Sequence, residues 1–77
     1  MIHRLEVTLQ DAEGAIVRVL GTAERRGFRV CALHAEVGAD ALCRMELTLE
    51  GSRDTGLLGR QLTRLHEVRT ATIRAAP

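Results

Sequence analysis

The segment from Asp11 to Ile16 is where the sequence offers a site for a small anion. Gly14 stands at the start of a predicted helix, so the backbone amides of Gly14 and Ala15 could face an anion with no Cβ atom in the way. Asp11 has two alternative roles: it caps the helix, or it holds the amino group of a small zwitterion whose carboxylate meets those amides. No nucleophile stands beside a base here, so the pattern indicates a sensor and not a catalyst.

The two cysteines show no pattern of a redox or metal site. No C-x-x-C motif joins Cys31 and Cys43. The predicted hairpin between the second and third strands places Cys43 opposite Ala35 or Glu36. Cys31 then lies several residues farther along its strand, which is beyond the reach of a disulfide. We therefore expect two ordinary reduced thiols.

The three histidines fall on three separate elements, without the spacing of metal ligands. His3 and His34 could approach one another across a sheet, but nothing in the sequence requires it. We expect both of them, and His66, to be structural or solvated, and we expect no metal site.

The charge balance limits the partners that the chain could bind. All basic residues are arginines, and 11 of them face 10 acidic residues, for a net charge of +1. This gives no electrostatic reason to expect nucleic acid or an anionic membrane. Phe28, the single aromatic residue, provides no stacking platform for RNA. Arg18, Arg25 and Arg26 form either the solvated face of the first helix or a docking surface for a larger protein.

Hydrophobic periodicity predicts six elements in the order β-α-β-β-α-β. Alternation predicts strands over residues 2–9, 28–37, 41–50 and 68–74. A helical stripe predicts a first helix over residues 14–26, ended by Gly27, and a second helix capped by Ser52 or Asp54. Residues 38–40 form the hairpin connection, and residues 75–77 form a frayed end.

This order predicts an α+β fold of the ferredoxin-like βαββαβ type, a four-stranded antiparallel sheet with two helices on one face. The 77 residues form one domain, 1–77, small enough that we expect support from a partner chain. No apolar run approaches the roughly 20 residues of a membrane span, and the first residues do not read as a signal peptide. We expect a soluble cytoplasmic protein.

The second strand contains an irregularity in its pattern. Phe28 and Val30 share one parity, whereas Leu33, Ala35 and Val37 share the other. A regular strand cannot place both sets on one face. Either a β-bulge near residues 31–32 reconciles them, or both faces of the strand are partly covered, for example by a partner chain.

Three segments resemble a known family. The run from Asp11 reads Asp-x-x-Gly-Ala-Ile-x-Arg-Val-Leu, and the run from Arg25 reads Arg-Arg-Gly-Phe-x-Val-x-x-Leu. Both resemble the ACT domain, and more closely the small regulatory subunit of acetohydroxyacid synthase (acetolactate synthase) of the compact isozyme II type. Residues 61–71, Gln-Leu-x-Arg-Leu-His-Glu-Val-Arg-Thr-Ala, resemble the second helix and last strand of that family. The resemblance covers nearly the whole chain.

The resemblance implies a homodimer through an edge strand, the predicted second strand over residues 28–37 (β2), with an amino-acid effector bound at the interface. One chain would contribute the loop residues Asp11, Gly14, Ala15 and Ile16. The other chain would contribute Arg29, Val30 and Cys31 from β2. Valine-sensitive relatives typically have asparagine where Asp11 and Arg29 stand, so we expect valine to bind weakly here.

The resemblance also implies a function without catalysis by this chain. The partner would be a catalytic large subunit that makes acetolactate or acetohydroxybutyrate from pyruvate and 2-ketobutyrate, for branched-chain amino-acid biosynthesis. Thiamine diphosphate, Mg²⁺ and FAD would belong to that partner, and this chain would hold no cofactor. The alternative is a free-standing ACT amino-acid sensor that regulates another enzyme. A small ferredoxin-like enzyme or metal carrier is disfavoured by the missing C-x-x-C motif and base–nucleophile pair.

Overall fold

The computed structural model describes residues 1–76, and it contains the six elements that the sequence predicts. They are β1 (Ile2–Gln10), α1 (Ala15–Arg25), β2 (Arg29–Val37), β3 (Leu42–Glu50), α2 (Thr55–Thr63) and β4 (Val68–Ala75). The strands form one antiparallel sheet in the order β2-β3-β1-β4. This confirms the ferredoxin-like fold. Neither helix in the described part of the chain has the length and hydrophobicity that a membrane crossing requires.

The core lies between the two helices and the central strands of the sheet. Alternate residues of β1 and β3 point toward the helices and are buried: Leu5, Val7 and Leu9, with Cys43, Met45, Leu47 and Leu49. Their partners are Val19 and Ala23 of α1 and Leu58 and Leu62 of α2. These residues carry the predicted stripes, and Leu65 is partly buried beside them.

Local chemistry accounts for the ends of both helices. Gly27 adopts a φ of +88°, and the Phe28 amide donates to the Ala23 carbonyl at 3.1 Å, as in a Schellman motif. At the start of α2, the carboxylate of Asp54 accepts hydrogen bonds from the amides of Gly56 and Leu57, at 2.8 and 3.2 Å. Of the two predicted caps, Asp54 is therefore the one that the structure uses.

The predicted β-bulge is present in β2. The register with β3 shifts between Val30 and Ala32, so Cys31 has no partner in it. As a result, Val30 and Leu33 both lie opposite residues of β3 whose side chains face the helices. The helices do not extend over the second half of the strand, however. Leu33 and Val37 remain 46% and 55% exposed.

The predicted hairpin register was wrong by one or two residues. Cys43 pairs with Val37, and not with Ala35 or Glu36. The reason is a longer turn, in which Ala41 takes a left-handed φ of 64° and the pairing of β3 with β2 begins only at Cys43. Cys31 is exposed and Cys43 is buried, and both are free thiols as predicted.

The carboxylate of Asp40 organises this turn. It accepts a hydrogen bond from the Leu42 amide at 3.2 Å and pairs with Arg44 at 2.7 Å. The Arg44 guanidinium, followed by the Leu42 amide, lowers the pKa of Asp40 to about 2.

The predicted frayed end was also wrong for residues 75 and 76. Ala75 pairs with His3 in the sheet, and the Ala76 amide donates to the Ile2 carbonyl at 3.0 Å. Pro77 lies outside the described residues. The pairing extends because β4 follows β1 to the beginning of that strand.

Candidate functional site

A small cavity lies at the N-terminal end of α1. It has a volume of about 110 Å³ and is lined by Leu9, Gln10, Asp11, Ala12, Gly14, Ala15, Ile16, Val17 and Cys43. The four loop residues predicted for an effector are therefore brought together on one wall. Leu9 and Cys43, which are buried in neighbouring strands, add an apolar surface. The cavity thus combines helix-terminal amides with apolar contacts.

The backbone at Gly14 begins the helix in a left-handed conformation. Gly14 is the N-cap residue with a φ of +77°. The Ala15 amide donates to the Ala12 carbonyl at 3.0 Å, so it is already occupied and does not point free toward an anion. Within residues 1–76, the amides of Ile16 and Val17 have no such acceptor. Of the two amides that the sequence suggested, Ala15 is therefore engaged, whereas the Gly14 amide has no backbone acceptor in the described part of the chain.

Asp11 does not cap the helix, which corrects one of its two predicted roles. The N-cap has no side-chain hydrogen bond. Instead, the Asp11 amide donates to the Ala41 carbonyl at 3.2 Å and ties the loop to the β2–β3 turn. Burial, and then the Asp11 charge, raise the pKa of the Cys43 thiol. Asp11 therefore contributes a negative charge to the lining of the cavity. Its second predicted role, binding an amino group, stays a prediction.

Arg18 holds the site loop in place, a role that the sequence did not reveal. Its guanidinium forms an ion pair with Glu67 and donates to the Glu13 carbonyl at 3.0 Å. The Arg18 hydrogen bond is the main reason that the pKa of Glu67 is lowered. The guanidinium also lies over Gly14, where an added Cβ would stand 2.9 Å from its Nη1 atom. Glu67 is far away in sequence, so no local pattern signals this contact.

The second half of the predicted site lies elsewhere in the same chain. Arg29 pairs with Glu50 in the sheet register, and their side chains form an ion pair at 2.8 Å. Asp11 is held beside Ala41, which is at the other end of β2. Arg29, Val30 and the exposed Cys31 therefore do not meet the loop within one chain. Their contribution from a second copy stays a prediction.

The histidines do not assemble into a site. His3 is buried, and its Nε2 donates to the Gly51 carbonyl at 3.1 Å while its ring packs edge-on against Phe28. His34 is exposed and pairs with Glu36 at 2.9 Å. The two rings lie on opposite faces of the sheet, so the possible approach across the sheet does not occur. In the described part of the chain, no three His, Cys, Asp or Glu residues are grouped to hold a metal ion.

Comparison with known proteins identifies the family. A family profile described as the ACT domain matches residues 11–71. The chain belongs to the ACT-domain family. The acetolactate synthase isozyme 2 small subunit of Escherichia coli strain K12 is 33% identical over 69 residues, which is 88% of this chain and 79% of that protein. The protein of the same description from Shigella flexneri gives the same values. The resemblance seen in the sequence is thereby confirmed.

Solved structures confirm the ACT fold. The small subunit of acetolactate synthase from Thermotoga maritima matches 95% of this chain with a TM-score of 0.81 and 21% identity, and the chain spans 47% of that protein. The ACT domain of the GTP pyrophosphokinase from Chlorobium tepidum matches 96% of this chain with a TM-score of 0.78 and 13% identity. At these identities the structures establish the fold alone.

The left-handed cap of this ACT domain should not tolerate a side chain. We expect Gly14→Ala to lower the free energy of unfolding by about 1–2 kcal/mol, because a Cβ is unfavourable at this φ. Gly59→Ala is the matched control, since an added Cβ there meets no atom within 4 Å in a helix interior. It should raise stability by up to about 1 kcal/mol. Urea unfolding at one fixed protein concentration measures both, and equal changes would contradict this account of Gly14.

Proposed function

We propose that this chain is the non-catalytic regulatory subunit of an acetolactate synthase. The observation that carries the proposal is the 33% identity to the isozyme 2 small subunit across 88% of the chain. The cavity at the start of α1 supports it, because helix-terminal amides beside an apolar wall suit a small amino acid better than a reaction centre. The chain would regulate a larger enzyme, and the reaction would take place there.

The proposed partner is the catalytic large subunit, which would hold thiamine diphosphate, Mg²⁺ and FAD and form acetolactate from pyruvate. There thiamine diphosphate would supply the carbon–carbon bond chemistry. This chain would act by binding the active conformation of the large subunit more tightly than the inactive one. A partner shifts such an equilibrium only by the difference between its two affinities.

We further propose that two copies associate through β2. The strand is at the edge of the sheet, and its exposed Leu33 and Val37 lie on the same side as the core. An uncovered strand edge with apolar side chains tends to pair with another strand. Antiparallel pairing reverses the second strand, so Arg29 of the second copy comes to the end of β2 where Val37 lies. That end is next to the loop of Asp11.

This arrangement would complete an amino-acid site from the predicted residues. Asp11, Gly14, Ala15 and Ile16 of one copy would face Arg29, Val30 and Cys31 of the other. Asp11 accepts and Arg29 donates, so the two side chains can pair with each other across the interface. Arg29 also has Glu50 as a partner within its own chain. Valine would have to compete with these charge-assisted hydrogen bonds, so we propose that it binds weakly.

Activation of the cognate large subunit tests the main proposal. With thiamine diphosphate, Mg²⁺ and FAD present, adding this chain should raise acetolactate formation from pyruvate to a saturating plateau. The chain alone should form none. An unrelated protein of equal mass and charge serves as the control for non-specific stabilisation. Unchanged turnover over the whole titration would refute the proposal, and amino-acid binding without activation would favour a free-standing ACT sensor.

The β2 interface predicts a specific change in oligomeric state. The chain should sediment as a dimer at micromolar concentration. Leu33→Asp should weaken dimerisation at least tenfold, because it places an unpaired charge on the proposed contact. Thr72→Asp is the control, since Thr72 is exposed on β4, the strand at the opposite edge of the sheet. A folded monomer in the unmodified chain, or equal effects of both variants, would exclude this interface.

The charges at Asp11 and Arg29 predict how the effector site responds to mutation. The double variant Asp11→Asn with Arg29→Asn should bind valine more tightly in calorimetry than the unmodified chain. The control removes another ion pair, Glu6 and Arg74, which lie 3.0 Å apart on the sheet face away from the helices. Glu6→Gln with Arg74→Gln should leave valine binding unchanged. Tight binding by the unmodified chain would count against the proposed competition.

A further inference from the structure

A cluster of three arginines lies at the C-terminal end of α1. Arg25 and Arg26 end that helix, and Arg53 approaches from the segment that leads into α2. Together with Gly27, Asp54 and Leu57 they line an open hollow of about 410 Å³. We call Arg25, Arg26 and Arg53 the arginine cluster. It lies at the opposite end of α1 from the cavity at Gly14.

The arginine cluster has no acidic partner within residues 1–76. The ion pairs of arginine in that part of the chain involve Arg18, Arg29, Arg44 and Arg74 instead. Dipole compensation explains a basic residue in the last turn of α1, but Arg53 belongs to neither helix. Three exposed arginines around one hollow concentrate positive charge there, which an acidic partner would compensate.

The Arg53 side chain is oriented by its contact with Gly27. An ideal Cβ on Gly27 would stand 2.8 Å from the Cγ atom of Arg53, so the stem of this arginine passes directly over the glycine. Arg25 is also positioned, because its Nη2 atom donates to the hydroxyl of Thr22 at 3.4 Å. Neighbouring atoms thus position two of the three arginines, and all three residues are exposed.

The chemistry of the hollow favours carboxylates over phosphate. Phosphate sites at helix starts use free backbone amides, but Asp54 already accepts from the amides of Gly56 and Leu57. Separate guanidinium groups instead suit separate carboxylates, each bound by a two-pronged pair. Leu57, which is 37% exposed in the hollow, offers contact for an apolar residue between them.

We propose that the arginine cluster docks an acidic segment of the catalytic large subunit, with Asp or Glu side chains on both sides of an apolar residue. This rests on the proposed function. α1 has 11 residues and so spans about 16 Å, which separates this surface from the cavity at Gly14 of the same copy.

The test compares two triple variants of equal charge. The cluster variant carries Arg25→Gln, Arg26→Gln and Arg53→Gln, which keeps the aliphatic stems. The control carries Arg4→Gln, Arg64→Gln and Arg69→Gln, at three exposed arginines outside the cluster. Each is titrated into the cognate large subunit, and the concentration of half-maximal activation is measured. We expect it to rise roughly tenfold or more for the cluster variant, and less than threefold for the control.

Salt gives an independent readout of the same contact. Raising KCl should weaken activation by the unmodified chain more than activation by the cluster variant, because the exposed ion pairs are screened. Thermal melting checks that both triple variants fold. If the cluster variant does not fold, the single variants Arg26→Gln and Arg53→Gln should each shift the midpoint by about two- to fivefold.

The outcomes separate the two proposals. If the unmodified chain activates and the cluster variant matches it, the docking surface is wrong and the regulatory function stands. If the control loses as much as the cluster variant, net charge and not this surface determines binding, which also overturns the inference. If the unmodified chain itself fails to activate, the proposed function and the docking surface are both refuted.

Discussion

The helices of this molecule are shorter than its strands, and this difference in length determines which part of the sheet is covered. Helices of 11 and 9 residues extend about 16 and 14 Å, whereas strands of nine residues extend about 30 Å. Two such helices bury the inner faces of β1 and β3, but they leave the second half of β2 open. The described residues contain no further element that covers it. The geometry of the fold, together with its small size, therefore supports the proposed association with a second copy.

Patterns of alternation and periodicity predicted the fold because they report which faces are buried. The bulge at Cys31 was predictable for the same reason, since the apolar residues of β2 change parity there. The hairpin register was not predictable in this way. It depends on the left-handed conformation of Ala41, a residue whose type does not favour a positive φ. The N-cap of α2 was ambiguous because Ser52 and Asp54 have similar capping propensities. Only the folded backbone, which brings the Asp54 carboxylate to the amides of Gly56 and Leu57, selects Asp54.

The candidate site was predictable as a segment but not as a geometry. Gly14 indicated a helix start whose backbone could approach a ligand, and the structure places Gly14 on the wall of a cavity. The sequence could not show that the Ala12 carbonyl occupies the Ala15 amide. Nor could it show that Arg18 reaches Glu67, because this contact depends on how the α2–β4 loop returns to α1. Both features arise only when distant segments meet in the folded chain.

The two ends of α1 connect the proposed effector and docking sites. Its first turn is tied by Arg18 to Glu67, just after α2, and its last turn packs at Gly27 against Arg53, just before α2. Both contacts join α1 to the segments that flank α2. A displacement of one helix therefore disturbs the contacts of the other. In the proposed assembly, an effector at the start of α1 and a large subunit at its end would each favour one position of this helix pair. Coupling between the two sites then requires only that each ligand binds one position more tightly than the other: the coupling is positive if both favour the same position and negative if they favour different ones.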